Sequence, residues 1–166
     1  GLAEWINLTG ALVLAYRQMH NVSDIRLNCY QQVMAFLKPL LPEKQRTGLW
    51  VIYSDFNFNL ITITDLQETE FWWEAESARR IVMDAIGHDA RFVYMVLWKD
   101  RPAQGMDDIE AAHLNAIASV LCAAELDLVD CLLVNGEETY SMRVNNQMNS
   151  FRATAAGGSL RETYDR

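Results

Sequence analysis

Residues 91–98 read Arg-Phe-Val-Tyr-Met-Val-Leu-Trp, a nearly continuous apolar run followed by Lys99 and Asp100. A half-exposed strand would alternate polar and apolar residues, so this run predicts a strand covered on both faces. Such a strand needs material on both sides of its sheet. The chain must therefore fold in layers, with helices flanking a sheet. Its 166 residues suit one domain with a full core and leave little room for a second. Apolar residues make up 51% of the chain, which excludes bulk disorder.

The flanking helices are legible from spacing. Residues 3–19 carry Trp5, Leu8, Leu12, Ala15, Tyr16 and Met19 three and four apart, the period of an amphipathic helix. Ser23 is placed to cap a second helix with Ile25, Cys29, Val33, Phe36 and Leu37 on one face, ended by Pro39 and Pro42. Residues 49–53 and 59–63 read as strands around the turn formers Asp55 and Asn57, a β-hairpin. Residues 64–73 read as irregular. Residues 74–87 predict a helix with Ala78, Ile81, Val82, Ala85 and Ile86 inward and Gly87 at its C-cap. Residues 99–106 read as a loop. Asp107 or Asp108 can cap the next helix, which runs to about Ala124 with Ile109, Ala112, Ala116, Ile117 and Val120 inward. Residues 129–134 and 139–144, joined by a turn at Asn135-Gly136, close the chain as a second hairpin. The order α, α, β, β, α, β, α, β, β calls for a single three-layer α/β domain. Hairpins at both ends make its sheet mixed. Residues 145–166 lack periodicity and read as a mobile tail.

Composition excludes several functions. No apolar run reaches the ~20 residues of a membrane span. The first residues lack the basic-then-apolar pattern of a secretory leader. Cys29, Cys122 and Cys131 are odd in number and widely spaced, neither a disulfide framework nor a metal knuckle. A reducing, cytoplasmic setting follows. The net charge is −8 and unevenly spread. Residues 1–46 carry five basic and three acidic groups, residues 47–142 five and 17, and residues 143–166 four and two. The central part, at −12, is a poor surface for nucleic acid, whose binding rests on clustered Lys and Arg. The phosphate-binding patterns GxGxxG and GxxxxGK[ST] are absent, and so is GxSxG.

The closing segment Asp130-Cys131-Leu132-Leu133-Val134-Asn135-Gly136, followed by Tyr140-Ser141-Met142, carries a resemblance. So do the opening strand Val51-Ile52-Tyr53-Ser54-Asp55 with Asn59-Leu60-Ile61, and the apolar strand that leads into a loop with Pro102 and Gly105. From about Arg46 to Arg143 the chain resembles the RadC-like JAB domain, a branch of the JAMM/MPN metalloprotease fold with a cytidine deaminase-like sheet. The likeness divides the chain into an N-terminal helical segment, 1–45, the JAB-like domain, 46–144, and the tail, 145–166.

Active members of that family hold Zn²⁺ with two imidazoles and a carboxylate and leave a fourth position for water. The metal acidifies the water, and an upstream Glu takes its proton. The resemblance puts Lys99 and Arg101 where the His-x-His ligands belong. Both are cations at neutral pH with no lone pair to offer. Asp108 matches the carboxylate ligand, with Asp107 as the alternative, and the upstream Glu falls at Thr47, with Glu43 four residues off. These four positions, Thr47, Lys99, Arg101 and Asp108, thus read as a vestigial metal site with no catalytic residue. One consequence is expected: Lys99 or Arg101 pairs with Asp108 where the metal would have been.

Glu110 and His113 share a helical face, but two ligands do not make a metal site. His20 and His88 sit at helix ends, where an imidazolium favours the C-terminus. Cys131 falls in a core strand, where a thiol acts as a small hydrophobe. Phe71, Trp72 and Trp73 lie among carboxylates, either as a lid on the sheet or as an interface patch. The expectation is a silent JAB-like domain without cofactor, working through a protein partner or self-association, with no membrane contact. Two alternatives stay open. One is a divergent zinc-dependent hydrolase or isopeptidase, and the other an accessory protein of DNA repair.

Overall fold

The structure is a computed structural model and describes residues 26–40, 48–66, 75–99 and 103–148. Three helices are α1 (Tyr30–Leu40), α2 (Ala75–Gly87) and α3 (Asp108–Ala123). Five strands are β1 (Gly48–Ser54), β2 (Leu60–Asp65), β3 (Phe92–Trp98), β4 (Asp127–Asn135) and β5 (Glu138–Ser141). They form one sheet in the order β2-β1-β3-β4-β5. β1 is antiparallel to β2 and β3, β3 and β4 are parallel, and β5 returns antiparallel to β4. The sheet is mixed, as the terminal hairpins required.

All seven residues of β3 are buried, as the apolar run demanded. Val93, Met95 and Leu97 join Ile81, Ala85, Leu114, Ile117 and Leu121 in a core under α2 and α3. Tyr94, Val96 and Trp98 join Val33, Phe36 and Leu37 in a second core under α1. Burial on both faces at ~25 cal/mol per Å² makes this strand the centre of the hydrophobic stabilisation.

Local chemistry explains most element boundaries. In the β1–β2 turn, Asp55 Oδ1 accepts from the amides of Asn57 (2.8 Å) and Asn59 (2.9 Å), and Phe58 adopts a positive φ. Strand β2 extends through Thr64 and Asp65, which pair with Val51 and Trp50, so the irregular stretch begins later than the sequence suggested. Helix α1 begins at Tyr30 rather than after Ser23. Arg26 bridges Asn59 and the Leu27 amide donates to the Phe58 carbonyl at 2.8 Å, which holds that segment extended. Pro39 lies inside the last turn of α1 instead of ending it. Helix α2 ends in a left-handed residue, but Asp89 takes that conformation (φ 55°), not Gly87. The closing turn is Gly136-Glu137, with Asn135 still paired to Glu138.

Five inward assignments reverse, and that of Ile117 holds. Ile86 is 61% exposed, although Ala78, Ile81 and Ala85 are buried as expected. In α3 the buried side chains are Leu114, Ile117, Ala118 and Leu121, whereas Ile109, Ala112, Ala116 and Val120 face outward. Both α3 faces are apolar, so spacing alone fitted either one. Expectations for the helix at 3–19, the aromatic run Phe71-Trp72-Trp73 and the tail beyond residue 148 lie outside the described residues.

Candidate functional site

Open α/β sheets bind ligands beyond the carboxyl ends of their parallel strands. Here that end is formed where Lys99 leaves β3 and α3 begins. The Lys99 amide donates to the Val134 carbonyl at 3.1 Å, extending the β3–β4 pairing by one step. Asp107 caps α3: its Oδ1 accepts from the Glu110 amide at 2.8 Å, and Glu110 Oε2 accepts from the Asp107 amide at 3.3 Å. This reciprocal capping box satisfies two amides that the helix itself leaves without partners. The remaining oxygen of the same carboxylate, Oε1, meets the Lys99 ammonium. Glu110 is therefore held on both oxygens, one by the helix start and one by the strand end.

The loop before α3 is fixed from the β5 side. Gly105 has φ +127°, and a Cβ there would stand 3.3 Å from the Tyr140 ring. The Tyr140 hydroxyl donates to Gln147 Oε1 at 2.8 Å, and Gln147 Nε2 donates to the Met106 carbonyl at 3.3 Å. Asn115 Nδ2 donates to the Gln147 carbonyl at 3.1 Å, closing the ring of contacts on α3. Polar side chains thus clamp the start of α3 to the last strand.

Cys131 lies fully buried in the core beneath α3. Burial pushes its thiol up, the nearby charges of Asp130 and Glu110 push it further, and Lys99 opposes them. A thiol held neutral in this way is a poor nucleophile.

Asp130, one residue earlier, sits in register with Tyr94 on the α1 side of the sheet. The β3–β4 register shifts between Val93 and Tyr94, which leaves Val129 as an extra residue on β4. The Asp130 carboxylate is fully buried. It accepts from the Ser141 hydroxyl through Oδ2 and from the Arg143 amide at 3.0 Å through Oδ1. Desolvation by burial pushes the carboxyl up to about 7, against the pull of these donors and of the Arg143 guanidinium. The Arg143 Nε itself donates to the Val129 carbonyl.

At the opposite end of the sheet a groove of about 470 Å³ is lined by Phe56, Ile86, Asp89, Arg91 and Glu125, among others. Arg91 there pairs with Asp127 at 3.8 Å and donates to the Glu125 carbonyl.

Of the four vestigial positions, Lys99 and Asp108 are described, and Thr47 and Arg101 lie outside the described residues, as do Phe71, Trp72 and Trp73. The structure does not pair Lys99 with Asp108. Asp107 takes the cap, Asp108 becomes the first, exposed helical residue, and the capping box turns Glu110 back towards Lys99. Helical spacing marks Glu110 only as a neighbour of His113. The Asp-x-x-Glu capping signature at 107–110 could have shown that its carboxylate points to the helix start. The resemblance takes in Asp130 and Ser141 separately. An Asp inside an apolar strand, which requires a partner, could have linked them. Among the described residues no group of three or more His, Cys, Asp or Glu side chains is placed to hold a metal ion. No described helix is long and apolar enough to cross a membrane.

Neither a family model nor a curated protein sequence matches this chain.

Proposed function

We propose that the chain is a catalytically silent domain of the RadC-like JAB type that acts through protein contacts. The observation that carries this reading is the Lys99–Glu110 pair. An ammonium occupies the position to which the resemblance assigns an imidazole ligand, and a carboxylate already neutralises it. A divalent cation brought there would meet a like charge and a nitrogen without a lone pair. The order α, β, β, α, β, α, β, β around a mixed sheet supports the fold half of the proposal. The apolar outer face of α3 supports the contact half. Free thiols at Cys29, Cys122 and Cys131 support a reducing, cytoplasmic setting.

The test is metal analysis of the full chain after chelation and re-equilibration with zinc, combined with a peptidase and isopeptidase assay. Less than about 0.1 equivalent of zinc and no hydrolysis are expected, on the affinity argument from ligand chemistry. Stoichiometric zinc with hydrolysis overturns the reading in favour of a divergent metallohydrolase. Salt-dependent DNA binding would instead point to a repair accessory, against the −12 carried by residues 47–142, with five basic and 17 acidic side chains.

A further inference from the structure

Residues 143–147, which follow β5, are tied at one end to the interior of the sheet and at the other to α3. At the first end the Arg143 amide donates to Asp130 Oδ1 at 3.0 Å, and the Arg143 Nε donates to the Val129 carbonyl. The Val144 amide donates at 3.1 Å to the Ser141 hydroxyl, which itself donates to Asp130 Oδ2. At the second end the Gln147 side chain accepts from the Tyr140 hydroxyl at 2.8 Å and donates to the Met106 carbonyl at 3.3 Å. The Gln147 carbonyl accepts from Asn115 of α3 at 3.1 Å. One short segment thus links a buried carboxyl to the 103–107 loop and to α3.

Polar bonds hold the two ends, and little apolar packing holds the middle. Val144, Asn145 and Asn146 are exposed, and Arg143 and Gln147 are half-buried. Segments of this kind open at a free energy well below that of global unfolding. Met142, by contrast, is fully buried, with its amide on the Cys131 carbonyl at 3.1 Å, so it is a fixed point about which 143–147 can move. Asp130 is itself 0% exposed. Water reaches its carboxyl only when a bonded neighbour leaves, and among Tyr94, Ser141 and Arg143 only Arg143 is not buried. A carboxylate gains far more from water than a neutral acid does, so the proton on Asp130 governs how readily the segment opens.

We propose that residues 143–147 form a proton-operated latch: a proton on Asp130 keeps the segment closed and the 103–107 loop pinned, and loss of that proton frees both. The latch goes beyond the contact-domain reading and does not rest on it. The groups that face Asp130 are Tyr94 of β3, Ser141 of β5 and the Arg143 guanidinium, with Cys29, ahead of α1, on the other side of Tyr94. On β4 itself the Cys131 amide favours the carboxylate. Burial pushes the Tyr94 hydroxyl up, so it stays neutral. Desolvation outweighs the donors and the guanidinium, so Asp130 titrates at about 7 with the latch closed, against the ordinary 3.8 once water reaches it. Opening therefore releases a proton between those values. Each pH unit in that range favours opening about tenfold more, and the gain levels off above about 7.

Amide hydrogen exchange of the full chain from about pH 5 to about pH 8, read residue by residue and corrected for the intrinsic rate, tests this. The Val144, Asn145 and Gln147 amides are bonded within the segment. They should exchange by local opening, at least about tenfold faster than the amides of β3 at the upper pH. Their opening should rise by tens of fold up to about pH 7 and then level off. The Glu110 and Ala111 amides, held by Asp107 at the start of α3, should rise with them. Asp130→Asn should abolish the rise in both places, and His88 and His113, still present in that variant, control for histidine titration. Gln147→Ala cuts the second end, so the α3 amides should lose their pH response while Val144 and Asn145 keep theirs. Exchange of 143–147 only at the rate of β3 overturns the proposal, because the segment then opens only with the whole domain. A response that is absent, or that survives Asp130→Asn, overturns it as well. So do α3 amides that fail to follow the segment, or that follow it equally in Gln147→Ala. Should Asp130→Asn not fold, the pH profile of the unaltered chain and that of Gln147→Ala decide.

Discussion

Glu110 and Asp130 are two shielded carboxylates on opposite sides of the same sheet. Glu110, at the mouth, meets a full positive charge on one oxygen and a helix-start amide on the other. Asp130, in the interior, accepts from a hydroxyl and an amide and feels the nearby Arg143 guanidinium, whose Nε donates to the Val129 carbonyl. Complete burial then raises the Asp130 carboxyl to about 7. For Asp130 burial decides, because its hydrogen bonds and the Arg143 guanidinium offset only part of the lost hydration. The mouth thus pairs its acid with a cation, and the interior raises the proton affinity of its acid.

The sharpest way to break this comparison is pH. Asp130 binds its proton more tightly folded (about 7) than in an ordinary exposed aspartate (3.8). Its contribution is therefore fully present below the unfolded value and is lost as pH rises through about 7. Three pH units correspond to ~4 kcal/mol, so urea melts should show stability falling by up to that amount between pH 4 and 8. Asp130→Asn should remove the slope. An unchanged slope in that variant would assign the effect to another group.

Ser141→Ala tests the same region with a smaller effect. It deletes a donor from a buried acid and should cost ~2 kcal/mol at pH 8, with a smaller loss at pH 5, where the carboxyl is protonated. Equal losses at both pH values would mean that the hydroxyl matters for the Val144 amide, from which it accepts at 3.1 Å, rather than for the charge.

At the mouth the effects are smaller because both side chains keep some solvent, 29% for Lys99 and 16% for Glu110. Lys99→Met should cost ~1 kcal/mol, less in high salt. Glu110→Gln keeps an oxygen for the Asp107 amide and should cost ~0.5 kcal/mol, measured by the same melts. A loss at Lys99 as large as that at Ser141 would erase the distinction between the two regions.

The sequence made some elements legible and left others undecided for identifiable reasons. Seven consecutive apolar residues in β3 could be satisfied only by cover on both faces, and the structure supplies it. The Asp55 turn was legible because its side chain bonds its own backbone two and four residues on. Cys131 as a core thiol followed from its strand. The start of α1 was not legible, because the amide that holds Leu27 extended finds its carbonyl at Phe58, 31 positions away. The partner of Lys99 was missed for a related reason: the choice between Asp107 and Asp108 as cap determines which acid turns towards it.

What the sequence determined by itself is the layered α/β plan, the mixed sheet and the acidity of its central part. Each follows from local periodicity, turn chemistry or composition, which need no knowledge of distant neighbours. The tertiary structure alone decided which apolar face of α3 turns inward, which acid meets Lys99 and that Ser141 closes over Asp130. Those outcomes depend on which groups the fold brings within contact distance, and apolar burial and hydrogen bonding act only there.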